Sequence, residues 1–425
     1  MLSFVRVSLL GLCAMMVGVS AWAEVDGFLA KDGARLFPVG FYELPKDEAG
    51  LKAMADAGVN IVHCHSRADL DRVAAVGMRG VFPLAWQQGR TDGLRAQVLE
   101  AAGHPALAVW EGPDEVVWNF TAYSGLFRKM GVHKVPGAWW KQTPEAVAYA
   151  EEKAGEIIPN MREVAAMIRE IDESDRPLWI NEAQSSDLGY VRQYLDFVDI
   201  TGCDIYPVND DKRPVERVGH STARWLEVGR GIPVYMVLQA FSWHELGDYY
   251  GPKEPAYPSF AESRFMAYDA IVRGARGIFY WGSRFLKAED FRESLYALTS
   301  ELAAVQPFLV AGEVAGLKVR VVDLPDKLPA HVAMMCRNVG DEWLIVVVNE
   351  DDLGHMGVVV SGLEALEGRT LYRLYHPGEA VVRNGELVAR ILGRDVQVFA
   401  TSRARETARL DGRDYVHVPA ASAQE

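Results

Sequence analysis

Along roughly the first 300 residues, short apolar runs alternate with longer stretches in which apolar side chains recur every three or four positions. That rhythm is the signature of strands buried on both faces and joined by amphipathic helices. The runs Leu36 to Glu43, Val59 to His65, Met78 to Trp86 and Ala106 to Trp110 read as strands. So do Pro177 to Asn181, Val198 to Tyr206, Pro233 to Ala240 and Gly277 to Trp281. Between them Glu48 to Ala57, Asp69 to Val76, Leu94 to Ala102 and Phe260 to Gly274 read as helices, the first stopping at Ala57-Gly58. Thr143-Pro144-Glu145 opens another, with a capping residue and then proline at the first helical position. It is expected to run to about Ile171, with an interruption at Pro159. Eight strands in this alternation close a TIM (β/α)8 barrel.

After about Leu309 the rhythm changes. Lys318 to Val322, His331 to Arg337, Trp343 to Asn349 and Met356 to Val360 follow one another as short strands with no helix between them. Thr370 to Tyr375, Ala380 to Val382, Leu387 to Ile391 and Asp395 to Phe399 continue the series, and Asn384-Gly385 marks a hairpin. The pattern predicts a C-terminal antiparallel β-sandwich domain over 309–403, after a barrel over 24–308. Residues 404–425 are polar and rich in small side chains, and are expected to be disordered.

The N-terminus reads as an export signal. Arg6 gives a positive start, Val7 to Val19 an apolar stretch too short to span a bilayer, and Ala21-Trp22-Ala23 a cleavage site. Mature protein would begin near Glu24 and be periplasmic or extracellular. No later stretch is apolar enough to suggest a membrane anchor. A formal net charge of -14 argues against nucleic acid as a partner, which calls for a basic surface. Cys64, Cys203 and Cys336 are odd in number and set within apolar runs, so buried thiols are expected rather than a disulfide framework.

Candidate chemistry concentrates where strands end. The run His104 to Glu111 stops in Gly112-Pro113-Asp114-Glu115, placing two acids where a barrel projects its catalytic side chains. Two connections on that face are longer than a barrel needs. Val116 to Gln142 carries Trp118, Phe120, Tyr123, Phe127, Trp139 and Trp140; Phe241 to Ser259 carries Trp243, Tyr249, Tyr250 and Tyr257. Such aromatics fold loops into satellite cores or form a platform for a stacked ligand. His63 and His65 lie two apart, hence on one face of a strand, but the further ligands of a metal hydrolase are not found at the other strand ends. No phosphate loop or nucleophile elbow is present.

With these residues in place the barrel resembles the clan A glycoside hydrolases, and the relatives of family 42 in particular. The matching segments are His104 to Glu115, Asp199 to Pro207, Pro233 to Phe241 and Gly274 to Gly282. The resemblance implies that Glu115 is the general acid/base, with Asp114 holding it or the substrate. It also implies a nucleophilic glutamate on the seventh strand, where this chain has Gln239. Glu245 a few residues on lies in the loop, so the second carboxylate is sought at Asp204, Glu182 or Glu43. Gln239, Tyr206, Trp243, Trp281 and His65 would shape a sugar subsite. The implied partner is a carbohydrate, with no cofactor and no metal. Two other readings stay open: a binding barrel that has lost its nucleophile, and a metal hydrolase built on His63 and His65.

Overall fold

The computed structural model describes residues 26–31, 33–124, 137–210, 212–247, 253–322, 331–352 and 356–407. The expected export signal (1–23), residues 408–425 of the expected tail, and Phe127, Tyr249 and Tyr250 lie outside the described residues. A hairpin of β1 (Leu29–Lys31) and β2 (Ala34–Leu36) precedes eight parallel strands. These are β3 (Val39–Phe41), β4 (Ile61–His63), β5 (Arg79–Pro83), β6 (Leu107–Glu111), β7 (Leu178–Ala183), β8 (Ile200–Asp204), β9 (Val234–Gln239) and β10 (Gly277–Trp281). They close into a barrel, β10 pairing with β3. The expected eight strands are therefore present, each shorter than its apolar run or shifted by a residue or two. The first run is split by Phe37-Pro38, since proline has no N–H to give a ladder.

The helix opened by Thr143 spans Pro144–Ile171, and the Thr143 hydroxyl accepts from the Ala146 N–H. Contrary to expectation it continues through Pro159. Its buried stripe of Ala150, Ala154, Ile158, Met161, Ala165 and Ile168 lies on both sides of the proline, so packing outweighs the single lost hydrogen bond. Inside the barrel β8 needs a glycine. A Cβ on Gly202 would stand 2.0 Å from the Tyr235 carbonyl oxygen on β9.

The C-terminal strands form two antiparallel sheets. One holds β11 (Lys318–Val321), β14 (Met356–Ser361) and β17 (Glu386–Ile391). The other runs in the order β12 (Val332–Val339), β13 (Glu342–Asn349), β18 (Asp395–Ala400), β15 (Thr370–Arg373), β16 (Glu379–Val381). Both faces of the larger sheet are buried. Cys336, Ile345 and Val347 enter the sandwich core, whereas Met335, Leu344, Val346 and Val348 pack on the barrel's helices. Arg264 and Arg273 of the Phe260–Val272 helix and its cap reinforce that seam, through the Val396 carbonyl and Glu350 respectively. The hairpin at Asn384-Gly385 has both residues at positive φ, as its sequence predicts. The chain is still anchored past residue 404: Arg405 pairs with Glu342, and Glu406 accepts from the Tyr375 N–H. Cys64, Cys203 and Cys336 are free and buried. Among the described residues no helix is long and apolar enough to cross a membrane.

Candidate active site

Side chains alternate along a strand, so the inward positions of the barrel stack in layers. One layer is apolar, built from Ile61, Val109, Trp179, Ile200, Val237 and Phe279. The inward positions beyond it toward the strands' C-terminal ends are mostly polar. They carry Tyr42, His63, Glu111, Asn181, Gln239 and, one inward position past Gly202, Asp204, with Trp281 beside them. Burying so many polar groups at one end of a strand set is costly unless they are paired or used.

Beyond Glu111 the chain turns along the end of β7. Gly112 donates to the Trp179 carbonyl at 2.8 Å, and Glu115 donates from its backbone to the Asn181 carbonyl at 3.0 Å. Glu115 itself sits in the left-handed region, with φ at 49°. That conformation costs a non-glycine residue about 1–2 kcal/mol, and such strain gathers at functional sites. It turns the Glu115 carboxyl toward Asp204, within hydrogen-bonding reach. Asn181 links the acids: its side-chain amide donates to Asp114 Oδ1 at 2.9 Å and to Asp204 Oδ2 at 3.2 Å. Asn181 was not foreseen as a site residue. The signal was available, since it shares the inward parity of Trp179 on a strand ending beside two acids.

Among the described residues no lysine or arginine is ion-paired with these carboxyls, although Arg284 lines the cavity that holds them. Burial, then the nearby Asp114 charge, lifts Glu115 to about 7. Asp114 is reachable by solvent but walled by protein, and is lifted to about 6, with Asn181 and Tyr42 opposing. Asp204 is raised well above the usual carboxylate range, by burial first and then by Glu115 and Asp114. Glu115 and Asp204 thus titrate as one pair displaced above the ordinary carboxylate range, and its two ionisations belong to both residues.

Beside this group lies a neutral one. The Tyr42 hydroxyl donates to Glu111 Oε1 at 3.3 Å, and Glu111 Oε2 is 3.2 Å from His63 Nε2. Burial raises Glu111 well above its ordinary range and lowers His63 to about 3. Burial thus disfavours the charged form of both residues.

Several expected site residues are placed elsewhere. Glu182 has outward parity on β7. It holds the turn after Glu115 by accepting from the Val117 and Trp118 N–H groups, Ser186 and Tyr194, and burial lifts it to about 8. Gln239 faces inward but is roofed over. It accepts from the Val208 N–H and donates to the Val208 and Phe241 carbonyls, which consumes its amide. Glu43 accepts from Gly282 and Ser283, tying the end of β3 to the end of β10. Glu245 caps its own turn and accepts from Tyr257 and the Lys287 N–H. None of these four lines the cavities at the mouth.

A cavity of about 630 Å³ does hold Asp114, Glu115 and Asp204. Its aromatic lining is Trp118, Tyr123, Tyr206, Trp243, Trp281 and Phe285. Tyr206 stacks on Trp281 with centroids 5.5 Å apart, and Trp243 Nε1 donates to the Tyr206 carbonyl. The long loops therefore divide their aromatics between two roles. Phe120 and Trp139 pack on Tyr190, and Tyr257 packs on Phe291, while Trp118, Tyr123 and Trp243 face the cavity. His65 lines a second cavity, beyond Asp114. Among the described residues no three His, Cys, Asp or Glu side chains are arranged to hold a metal ion, so His63 and His65 lack the rest of a ligand set.

No protein-family profile matches the chain, and no curated protein matches it. Solved structures do. A glycoside hydrolase superposes with a TM-score of 0.50 at 11% identity, over 88% of this chain and 95% of that one. An endoxylanase of family 30 from Clostridium papyrosolvens gives 0.47 at 10% identity, over 88% and 97%. A β-galactosidase from Bacillus circulans sp. alkalophilus gives 0.46 at 9%, over 86% and 99%. A nearer tie to family 42 is not singled out by these likenesses. The chain shares the fold of the first of these, a glycoside hydrolase: a closed eight-stranded parallel barrel with a C-terminal antiparallel sheet domain.

Proposed function

We propose that this protein hydrolyses glycosidic bonds in an oligo- or polysaccharide, using Glu115 as general acid/base and Asp204 as the second carboxylate. The observation that carries the reading is the Glu115–Asp204 pair, held by Asn181 in an aromatic-walled cavity at the barrel mouth. A glycosidic oxygen leaves slowly unless a carboxylic acid protonates it, and the resulting oxocarbenium-like centre needs a carboxylate nearby. Glu115 gives its proton to the leaving oxygen as the C–O bond breaks, and Asp204 bonds to the anomeric carbon. Water then attacks that carbon and passes its proton to Glu115, and the Asp204–sugar bond breaks. Two carboxyls within hydrogen-bonding reach leave no room for the interposed water of an inverting enzyme, so retention is expected. Asp114 and Asn181 position the pair, and Tyr206, Trp243 and Trp281 offer apolar faces to a sugar ring.

A second reading, a carbohydrate-binding barrel without turnover, is favoured by one observation. The seventh strand ends in Gln239, an amide already committed to backbone partners. One experiment separates them. Aryl glycosides and unmodified oligosaccharides are incubated with the protein, and the first-formed anomer is followed by NMR. Release of a sugar with retained configuration is expected. Binding without release on every member of the panel would favour the second reading. A transmembrane route or a nucleic-acid partner has no part in either, and export in the form of a mature chain beginning near Glu24 is proposed on the N-terminal sequence alone.

A further inference from the structure

Two carboxyls meet where the barrel packs on the sandwich, far from the strand ends that carry Glu115. Asp269 projects from the Phe260–Val272 helix, and Glu350 directly follows β13 of the larger sheet. Asp269 has no exposed surface, Glu350 is 3% exposed, and the two lie within hydrogen-bonding reach. Asp269 Oδ2 accepts from the Gly219 N–H at 2.7 Å, near the start of the helix Arg217–Gly229. Only a glycine permits that approach, since a Cβ there would stand 2.3 Å from Oδ1. Oδ1 has no N–H or O–H donor among the described residues. Arg273 is committed to Glu350 through two hydrogen bonds, at 2.7 and 2.5 Å. One guanidinium thus serves two buried carboxyls, and two acceptors in contact need a proton between them.

We propose that this seam is a proton-dependent latch: Asp269 and Glu350 share one proton while the sandwich is docked, and its loss as pH rises loosens the sandwich from the barrel. The latch stands whether or not the barrel hydrolyses glycans. Burial first, then the charge and contact of Glu350, raise Asp269 well above the usual carboxylate range. In an opened seam it would ionise near its ordinary value of about 3.9. A proton held when closed and released when open makes closure strongest at low pH. Opening becomes up to about tenfold easier per pH unit, from about pH 4 to the raised value. The other charged groups around the pair have partners of their own. Glu216 pairs with Arg394, which also reaches Asp352, and His331 pairs with Asp351. Arg217 donates to Gln184, and Glu301 of the helix Glu289–Ala304 is taken by Arg264. His220 is half exposed and 3.7 Å from Glu350; Asp269→Asn leaves it in place, so its share cancels between parent and variant.

Amide hydrogen exchange on the full chain reads the latch as protection factors at about pH 5 and about pH 9. In the parent, protection of β13 and the Phe260–Val272 helix should fall by about tenfold or more between them, with β6 as the internal control. In Asp269→Asn the amide oxygen still accepts from Gly219 and the amide N–H donates to Glu350, as the protonated acid does. The fall should then be about threefold or less. Glu350→Gln serves if that variant does not fold: its N–H donates to Asp269 and its oxygen accepts from Arg273, leaving one anion beside one cation. A fall of equal size in the parent and the folded variant, no fall in the parent, or an equal fall in β6 would overturn the latch.

Discussion

Replacing Glu115 by glutamine is expected to lower kcat on an unactivated glycan by about 10²- to 10⁴-fold, the contribution of a well-placed general acid. The amide keeps the volume and can still hydrogen-bond Asp204, so the cavity should be preserved and glycan affinity should change little. What it cannot do is give up a proton to a departing oxygen. The loss should therefore depend on the leaving group. With a dinitrophenyl glycoside, whose phenolate departs without protonation, the first step should be close to that of the parent. Equal losses on both substrates would assign Glu115 a structural role, and no loss on either would remove it from the chemistry.

Replacing Gln239 by glutamate should destabilise the protein by about 3 kcal/mol or more and create no nucleophile. The residue is fully buried, and its amide N–H groups point at two carbonyl oxygens, those of Val208 and Phe241, at 2.8 and 3.0 Å. A carboxylate there would face both lone-pair donors with no proton to offer, and a neutral acid could satisfy only one. The side chain has no exposed surface and lines neither cavity, so the charge has no route to solvent or to a sugar. A lowered urea midpoint without any gain in hydrolysis is the expected outcome. A variant as stable as the parent that hydrolyses faster would mean that the seventh strand end opens to substrate after all.

The barrel was legible because burial on both faces leaves near-continuous apolar runs, and because Thr143-Pro144 and Asn384-Gly385 are local signals with local causes. Pro159 misled for the converse reason: its effect is local, and the stripe that overrides it comes from tertiary packing. The acids at Asp114, Glu115 and Asp204 could be read as strand-end residues, since parity and position are encoded in spacing. Partnership could not. Glu182 and Asp204 both sit near the ends of adjacent strands, at positions paired to Cys203 and Ala183, yet one points outward to backbone N–H groups and the other inward. The commitment of Gln239 to Val208 and the bridging by Asn181 depend on how loops return over the mouth, which no spacing specifies.

The pH dependence of kcat/KM tests the central claim most directly, because it reports the ionisation of the free site. A glycosidase needs one carboxyl protonated and the other ionised. Here burial holds Glu115 at about 7 and Asp204 above the usual carboxylate range, and the proton left after the pair's first ionisation is shared between them, so it is available on Glu115 for the leaving oxygen. The singly ionised pair therefore forms as pH rises through about 7, and kcat/KM on a hydrolysable glycan should rise with it. A profile already maximal at about pH 4 to 5, where ordinary carboxylates ionise, would contradict the account, as would one unchanged in Glu115→Gln.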